Sequence, residues 1–314
     1  MLLSLRLGQE CCKAPALSVR ADPACASIDH PNGHSLDMEM RDIVTGNFAP
    51  PQWIASGPKS LRIVDWNIDR GQQLQGVTDF LVGVNADILT LQEVDFNARR
   101  THRLNIAETI ARKLEMNYVF GREFQELVQG SKDSPAYHGQ ATLSKWPISK
   151  PRLIRFSRQS HFWQPRWFLP TIEPFQERLG GRVALVAQIN VAGRKFVIYN
   201  LHLESRGSDA LRNSQLREVL SDATRYDAEY PVIVAGDLNL DASREPASLT
   251  LARAGFRDAV ASPRTPTTPT HGLFAGRRRI DWAFIRGPLR SSSGQVHGNV
   301  KASDHYPLSF MMSR

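Results

Sequence analysis

Six short apolar runs in this chain stop abruptly on an acid, an amide or a histidine. The clearest is Val232-Ile233-Val234-Ala235, which passes through Gly236 into Asp237, Leu238 and Asn239. A β-branched apolar run of that length reads as a buried strand. Gly236 lets the backbone bend or be approached closely. Side chains alternate along an extended chain, so Asp237 and Asn239 leave on one face. The other runs end on Asn67, on Glu93, on Asn200 with His202, on Asp281, and beside Asp304 with His305. One such ending is an ordinary Asx turn. Five or six are hard to read as capping alone, because strand ends are where α/β folds gather functional groups.

The spacing between these runs predicts the rest of the architecture. Leu61 to Ile68 alternates as a strand, with Ile63, Asp65 and Asn67 on one face. Leu74, Val77, Leu81 and Val84 recur at helical spacing, as do Ala107, Ile110, Ala111 and Leu114 in a helix closing near Asn117. Ile88 to Gln92 is a strand that runs into Glu93. Ala141 to Leu143 is another, and Val183 to Ile189 pairs with Phe196 to Leu203 as a hairpin. A helix is expected over about 208–228 and a shorter one near 244–254, followed by a Pro/Thr-rich loop at 263–270. Ile280 to Ile285 and Tyr306 to Met311 complete the strands. Strands alternating with helices, some joined by hairpins, predict a layered α/β sandwich rather than a purely parallel sheet.

Residues 1–60 show no sustained period and carry Pro15, Pro23, Pro31, Pro50 and Pro51. They read as an extension, poorly structured or docked on the surface through Trp53 and Ile54, with one catalytic domain at 61–314. Charge divides at the same point. The first 60 residues hold five Lys/Arg against six Asp/Glu, and the remainder 34 against 25, within a total of +8. A basic surplus confined to the folded part favours an anionic partner: phosphate ester, nucleic acid or, less readily, an anionic membrane surface. All three cysteines, Cys11, Cys12 and Cys25, lie in the extension, which excludes a disulfide framework and a cysteine nucleophile from the domain. Their spacing, with His30 and His34, fits no familiar zinc pattern. No apolar run approaches the ~18 residues that span a bilayer. The first residues are too short and charged for a secretory apolar region, so a soluble cytoplasmic protein is expected.

The polar strand ends sit in recognisable contexts: Ile63-Val64-Asp65-Trp66-Asn67, Leu91-Gln92-Glu93-Val94-Asp95 and His138-Gly139-Gln140-Ala141-Thr142-Leu143-Ser144. Asn200-Leu201-His202-Leu203-Glu204, Ala235-Gly236-Asp237-Leu238-Asn239, Arg279-Ile280-Asp281-Trp282 and Ser303-Asp304-His305-Tyr306-Pro307-Leu308 follow. In that order the chain resembles the endonuclease/exonuclease/phosphatase superfamily across 61–314. The resemblance implies a two-sheet β-sandwich flanked by helices, with the site at one rim. It implies that Glu93 is the main Mg²⁺ ligand, with Mn²⁺ as a substitute, and that Asn67 and Asp304 sit beside it. A carboxylate suits such a hard ion. Asp237 would deprotonate the attacking water and Asn239 would hold that water or a phosphoryl oxygen. His305, paired with Asp281, would bind phosphate, and His202 would stand near the leaving group. Asn200, Gln140 and Arg279 are the candidate substrate contacts, Gln140 standing where an Asn is common. Asp65 and Asp95 read as turn or outer groups, Glu204 as a surface acid, and His138, His161 and His271 as loop histidines.

These roles make chemical sense independently of the resemblance. Phosphate-ester cleavage needs a placed water and neutralised equatorial oxygens. The expected activity is therefore a Mg²⁺-dependent phosphoesterase acting on a phosphodiester, nucleic acid first. Residues 150–182 carry seven Lys/Arg against two Glu, interleaved with Phe156, Phe162, Trp163, Trp167, Phe168 and Phe175. Together with Arg277-Arg278-Arg279 they could follow a sugar-phosphate backbone while rings stack on bases. A lipid or small phosphoester is the alternative, the same aromatics entering an interface. A catalytically dead anion-binding module would lack a ligand or the general base, and none is missing.

Overall fold

The computed structural model describes residues 42–51, 57–172, 175, 177–261, 265–269 and 277–313 of the 314-residue chain. All belong to one compact unit, Met40–Arg314. The cysteines, Trp53, Ile54 and His271 lie outside the described residues.

The chain runs β1 (Ile43–Gly46), β2 (Ser60–Arg70), α1 (Leu74–Val84), β3 (Ile88–Phe96), a 3-10 turn (Arg99–Thr101) and α2 (Ile106–Leu114). It continues with β4 (Asn117–Glu126), β5 (Ala136–Ser144), β6 (Ile148–Arg155), β7 (Arg178–Gly180), β8 (Val183–Val191) and β9 (Arg194–His202). The last part is α3 (Asp209–Ala223), β10 (Val232–Asp237), α4 (Ala247–Arg253), β11 (Arg257–Asp258), β12 (Asp281–Arg286), β13 (Arg290–Val296) and β14 (Leu308–Ser313). One sheet has the order β1-β4-β5-β3-β2-β14-β13, with β7 also on β4; the other has β11-β12-β10-β9-β8-β6.

Three apolar clusters show how the layers stack. Ile63, Ile88, Ile198, Ile233, Ala235 and Phe310 fill the space between the sheets. Val64, Trp66, Leu89 and Leu91 face α1 and α2 through Val77, Leu81, Ile106 and Ile110. Tyr199, Leu201 and Val234 face α3 through Leu216, Val219 and Leu220, and Leu251 brings α4 into the same cluster. The expected two-sheet sandwich flanked by helices is the observed fold. Local signals start the helices. Asn105 accepts the Glu108 amide at 3.1 Å and donates to the Glu108 carboxylate, a reciprocal cap at the head of α2. Ser208 accepts the Leu211 amide at the head of α3.

The structure departs from the sequence reading in several places. Strand β4 begins at Asn117, where the helix before it was expected to end, and β6 and β13 were not anticipated. The domain also begins before residue 61. Ile43–Gly46 pairs antiparallel with Gly121 to Tyr118 at the sheet edge, and Val44 and Phe48 pack on the α1/α2 side. A four-residue edge strand leaves too little alternation to be read. It is nevertheless part of the unit, with Asp42 bridging Arg122 and Arg155 beside it. A chain starting at Met40 keeps this strand. One starting at Gly57 bares the β4 edge and should melt lower by ~5 °C or more, since each ~1 kcal/mol shifts a domain of this size by ~2–4 °C. Equal melting midpoints by calorimetry would make the strand dispensable.

Candidate active site

The inward-facing positions of the central strands change character along their length. On β2 the inner row reads Leu61, Ile63, Asp65, Asn67; on β3, Ile88, Thr90, Gln92. On β9 it reads Phe196, Ile198, Asn200, His202, and on β10 Ile233, Ala235, Asp237. Strand β12 runs opposite to β10, so Asp281 at its start faces Asp237 across the ladder. Since β2 runs parallel to β3 and β9 parallel to β10, the polar ends of both sheets collect at one rim.

Three backbone irregularities aim the groups there. The β3 ladder shifts register between Leu91 and Val94, where Glu93 takes φ +50°. Asn239, just past β10, sits at φ +51° and Gly236 at φ +144°. A Cβ on Gly236 would lie 2.0 Å from the Leu201 carbonyl oxygen, so only glycine fits the close approach of β10 to β9. Left-handed backbone at Glu93 and Asn239 is uncommon for such residues and clusters at functional sites.

Asn67, Glu93, His202, Asp237, Asp281 and His305 come together. The Asn67 Nδ2 donates to Glu93 Oε1 at 3.4 Å and to Asp237 Oδ2 at 3.3 Å. His202 Nε2 lies 3.6 Å from Asp237 Oδ2 and 4.0 Å from Glu93 Oε1. His305 Nδ1 sits 2.9 Å from both Asp281 oxygens, with its Nε2 3.8 Å from Asp237 Oδ2. The Asn239 amide donates to Asp237 Oδ1 at 2.8 Å, and its side chain donates to the Leu203 carbonyl. Around them, Ser303 Oγ donates to the Asn67 carbonyl and accepts the His305 amide, while Trp66 Nε1 donates to the His305 carbonyl. Thr267 Oγ1 accepts the Ile280 and Asp281 amides and so fixes the start of β12.

Burial and charge tune these groups in opposite directions. Burial raises the Asp237 carboxyl, helped by the neighbouring Asp281 charge, to about 7. Burial opposes charge on His305, but the Asp281 and Asp237 carboxylates outweigh it and hold the imidazole protonated well above its usual range. Glu93 is likewise opposed by burial, yet the Arg70 guanidinium and the surrounding positive charge keep it ionised well below the ordinary range. His202 is pushed well down by burial and by the Arg182 guanidinium.

Among the described residues, two groups of acids and histidines have a ligand-like span: Asp237, Asp281 and His305, and separately Asp95, Glu126 and His138. In the second group, Arg100 bridges Asp95 and Glu126 at 2.8 and 3.0 Å, and Arg178 Nε lies 2.7 Å from Glu126. Two guanidiniums already supply the positive charge there. In the first group, His305 spends Nδ1 on Asp281. The donor that suits a hard divalent cation is Glu93, ionised, 19% exposed and at the open rim. Asn67 turns its NH₂ toward the carboxylates, so its oxygen would reach a cation only after an amide flip. Asp304 is exposed, its carboxylate accepting from Ser303 Oγ at 3.3 Å.

Three expected substrate contacts have other partners. Asn200 is fully buried: it donates to the Leu91 and Ala141 carbonyls in the opposite sheet and accepts from Gln92. It is a tie between the sheets at the β3 irregularity. Gln140, also buried, donates to the Val183 carbonyl. Arg279 ion-pairs Asp258 at 3.0 Å and stacks 4.0 Å from the Trp282 ring centre. Of the outer acids, Glu204 was misread as a surface group, while Asp65 and Asp95 stand behind the site. Asp65 is buried against Thr90 and Gln92, Asp95 is buried in the Arg100 cluster, and Glu204 is buried, accepting from Ser160 and Trp163. His138 lies on β5 beside Asp95 rather than in a loop. Sequence reasoning missed Glu123, Arg182, Ser205, Thr267 and Ser303 altogether. A lone polar residue inside or beside an apolar strand, as Glu123 is in β4, was the only signal available.

The profile of the Endonuclease/Exonuclease/phosphatase family matches residues 66–305, from the residue beneath Asn67 to His305 itself. The chain belongs to that family. Human Tyrosyl-DNA phosphodiesterase 2 is 25% identical over 210 residues, 64% of this chain and 48% of that protein, so the match spans about half the length of this curated relative. An Endonuclease/Exonuclease/phosphatase structure from Beutenbergia cavernae superposes with a TM-score of 0.60 at 20% identity, covering 82% of this chain and 72% of the other. D. rerio TDP2 complexed with single strand DNA product gives 0.57 at 21% (82% and 100%), and the human Nocturnin catalytic domain 0.60 at 18% (87% and 97%). At these identities the structural likeness establishes the fold.

Proposed function

We propose that this protein hydrolyses phosphodiesters in nucleic acid with Mg²⁺, or Mn²⁺ in its place. Asp237 takes a proton from the attacking water, its raised basicity suiting that work near neutral pH. The charged His305, held by Asp281, and the remaining amide proton of Asn239 meet the phosphoryl oxygens. Glu93, with Asn67 and Asp304 beside it, would hold the cation, which when bound neutralises charge on the transferred phosphoryl group.

The observation that carries the nucleic-acid reading is the rim beside His202. Trp163 is buried and donates to Glu204, which anchors a loop on which Phe162, Trp167, Phe168, Ile172 and Phe175 are exposed, Trp167 by 96%. Exposed rings on a loop tied through Trp163 to Glu204, two residues past His202, suit stacking on unpaired bases. On the approach to Asp281, Arg277 and Arg278 are exposed, with no carboxylate partner among the described residues. The relative named for DNA, and the TDP2 structure bound to a single-strand DNA product, support the same substrate class. One feature favours a lipid instead: Trp167-Phe168-Leu169-Pro170 is consecutively apolar, as an interfacial loop would be.

A panel of single- and double-stranded DNA, RNA, sphingomyelin vesicles, phosphoinositides and a nitrophenyl phosphodiester, each with Mg²⁺ and with EDTA, tests the reading. Trp167→Ala combined with Arg277→Gln and Arg278→Gln is expected to raise KM for a single-stranded oligonucleotide by ~10-fold and to flatten its salt dependence. Preferential turnover of sphingomyelin, with nucleic acid untouched, would transfer the loop to a membrane role.

A further inference from the structure

We infer that Arg182 is a positioning residue that holds His202 as the neutral tautomer protonated at Nε2, so that His202 serves as a fixed hydrogen-bond donor and not as a proton-transferring acid. The argument begins with what each atom can do. A guanidinium has N–H donors only and no lone pair to offer. Arg182 Nη1 lies 2.9 Å from His202 Nδ1, so that nitrogen must accept and cannot carry a proton. The ring's one proton is then on Nε2. Nε2 faces the gap between Asp237 Oδ2 at 3.6 Å and Glu93 Oε1 at 4.0 Å, both too far for a strong hydrogen bond. The N–H is thus aimed at the position a phosphate oxygen would occupy.

The guanidinium cannot turn away. Its Nη1 also donates to Glu123 Oε1 at 3.2 Å and its Nη2 to Ser205 Oγ at 2.9 Å. The Phe124 and Trp163 rings lie 5.2 and 5.8 Å from its carbon, and the side chain is almost fully buried. Glu123 does not displace it as the histidine's partner, because its nearer oxygen stands 3.8 Å from Nδ1. A protonated His202 would press Nδ1–H against the Nη1–H of a cation.

For the reaction, this rests on the phosphodiesterase reading. The water oxygen bonds to phosphorus, its proton passes to Asp237, the bond to the leaving oxygen breaks, and that oxygen takes its proton from solvent water. His202 Nε2–H stabilises charge throughout and keeps its proton. The tautomer itself is independent of any substrate, so it is tested separately. Uniformly ¹⁵N-histidine-labelled full chain is measured by long-range ¹H–¹⁵N correlation at neutral pH, with His202→Gln assigning the signal. The expected pattern is a bare Nδ1 and a protonated Nε2. An Nδ1–H or doubly protonated ring in the native protein overturns the proposal whatever the activity. Arg182→Met should mix the tautomers and cut kcat by ~10-fold or more, and Arg182→Lys, which keeps one donor, should restore part of both. A native tautomer in a folded Arg182→Met protein would equally overturn it. If Arg182→Met does not fold, the native spectrum and Arg182→Lys still decide. A confirmed tautomer with no hydrolysis of any phosphodiester would sink the functional reading alone.

Discussion

Replacing Asp237 by Asn is expected to lower turnover by at least ~10²-fold on every substrate, the lower range for loss of a general base. The substitution keeps size and the Asn239 amide contact but removes the lone pair that accepts the water's proton. The same change should stabilise the protein. Asp237 has a folded value raised to about 7 from an ordinary 3.8. Between those values the folded state binds more protons than the unfolded one. Its contribution is therefore fully present below about pH 4 and is lost as pH rises through about 7. The buried charge beside Asp281 then costs on the order of a few kcal/mol, and Asn removes that cost. Metal-free Asp237→Asn should thus melt above the native protein at pH 8 and much closer to it at pH 4. In the native enzyme, kcat/KM should rise with pH along an acid limb. A mild kinetic effect together with an unchanged melting point at pH 8 would remove Asp237 from the mechanism.

Glu93→Gln carries the other large effect. Glu93 is the ionised oxygen donor that meets both Asn67 and the open rim, and Arg70 helps hold it charged. A neutral amide of the same shape offers a hard cation far less. Turnover should fall by ~10²–10³-fold or more, and the Mg²⁺ concentration giving half-maximal activity should rise steeply. Titration calorimetry of Mg²⁺ on native and variant protein separates weaker binding from slower chemistry. Native-like activity in the variant, or full native activity in EDTA, contradicts the assignment.

The strand ends were legible because each couples a local pattern to a residue type: Ile233-Val234 needs burial, and Asp237 does not belong in a core. The layered α/β sandwich was legible in the alternation of strands with helices. Strand β4 was not legible, since its buried Glu123 and Glu126 break the apolar pattern. Their partners Arg178, Arg182 and Arg100 arrive from β7, the residues leading into β8, and a 3-10 turn. No window of sequence contains both halves of such a pair. Asn200 and Arg279 failed for a related reason. Each was a polar residue beside a strand end, and only the fold shows Leu91, Ala141, Asp258 and Trp282 waiting for them. Thr267 was invisible because two backbone amides, which no sequence displays, are what it caps.

The Asn200 tie between the sheets bears on how inactive variants of this protein should be classified. Asn200 sets the gauge of the gap into which Asp237 and Glu93 project from opposite walls. A saturation screen scored by turnover would rank it with those two, although it has no route to a substrate atom. Its signature would be different in kind: activity lost through misalignment, recoverable by changes at Gln92 or Gln140 that reset the spacing, where no second-site change could replace a lost base or cation ligand. Suppressor genetics, rather than severity, would then sort the scaffold from the chemistry in this fold.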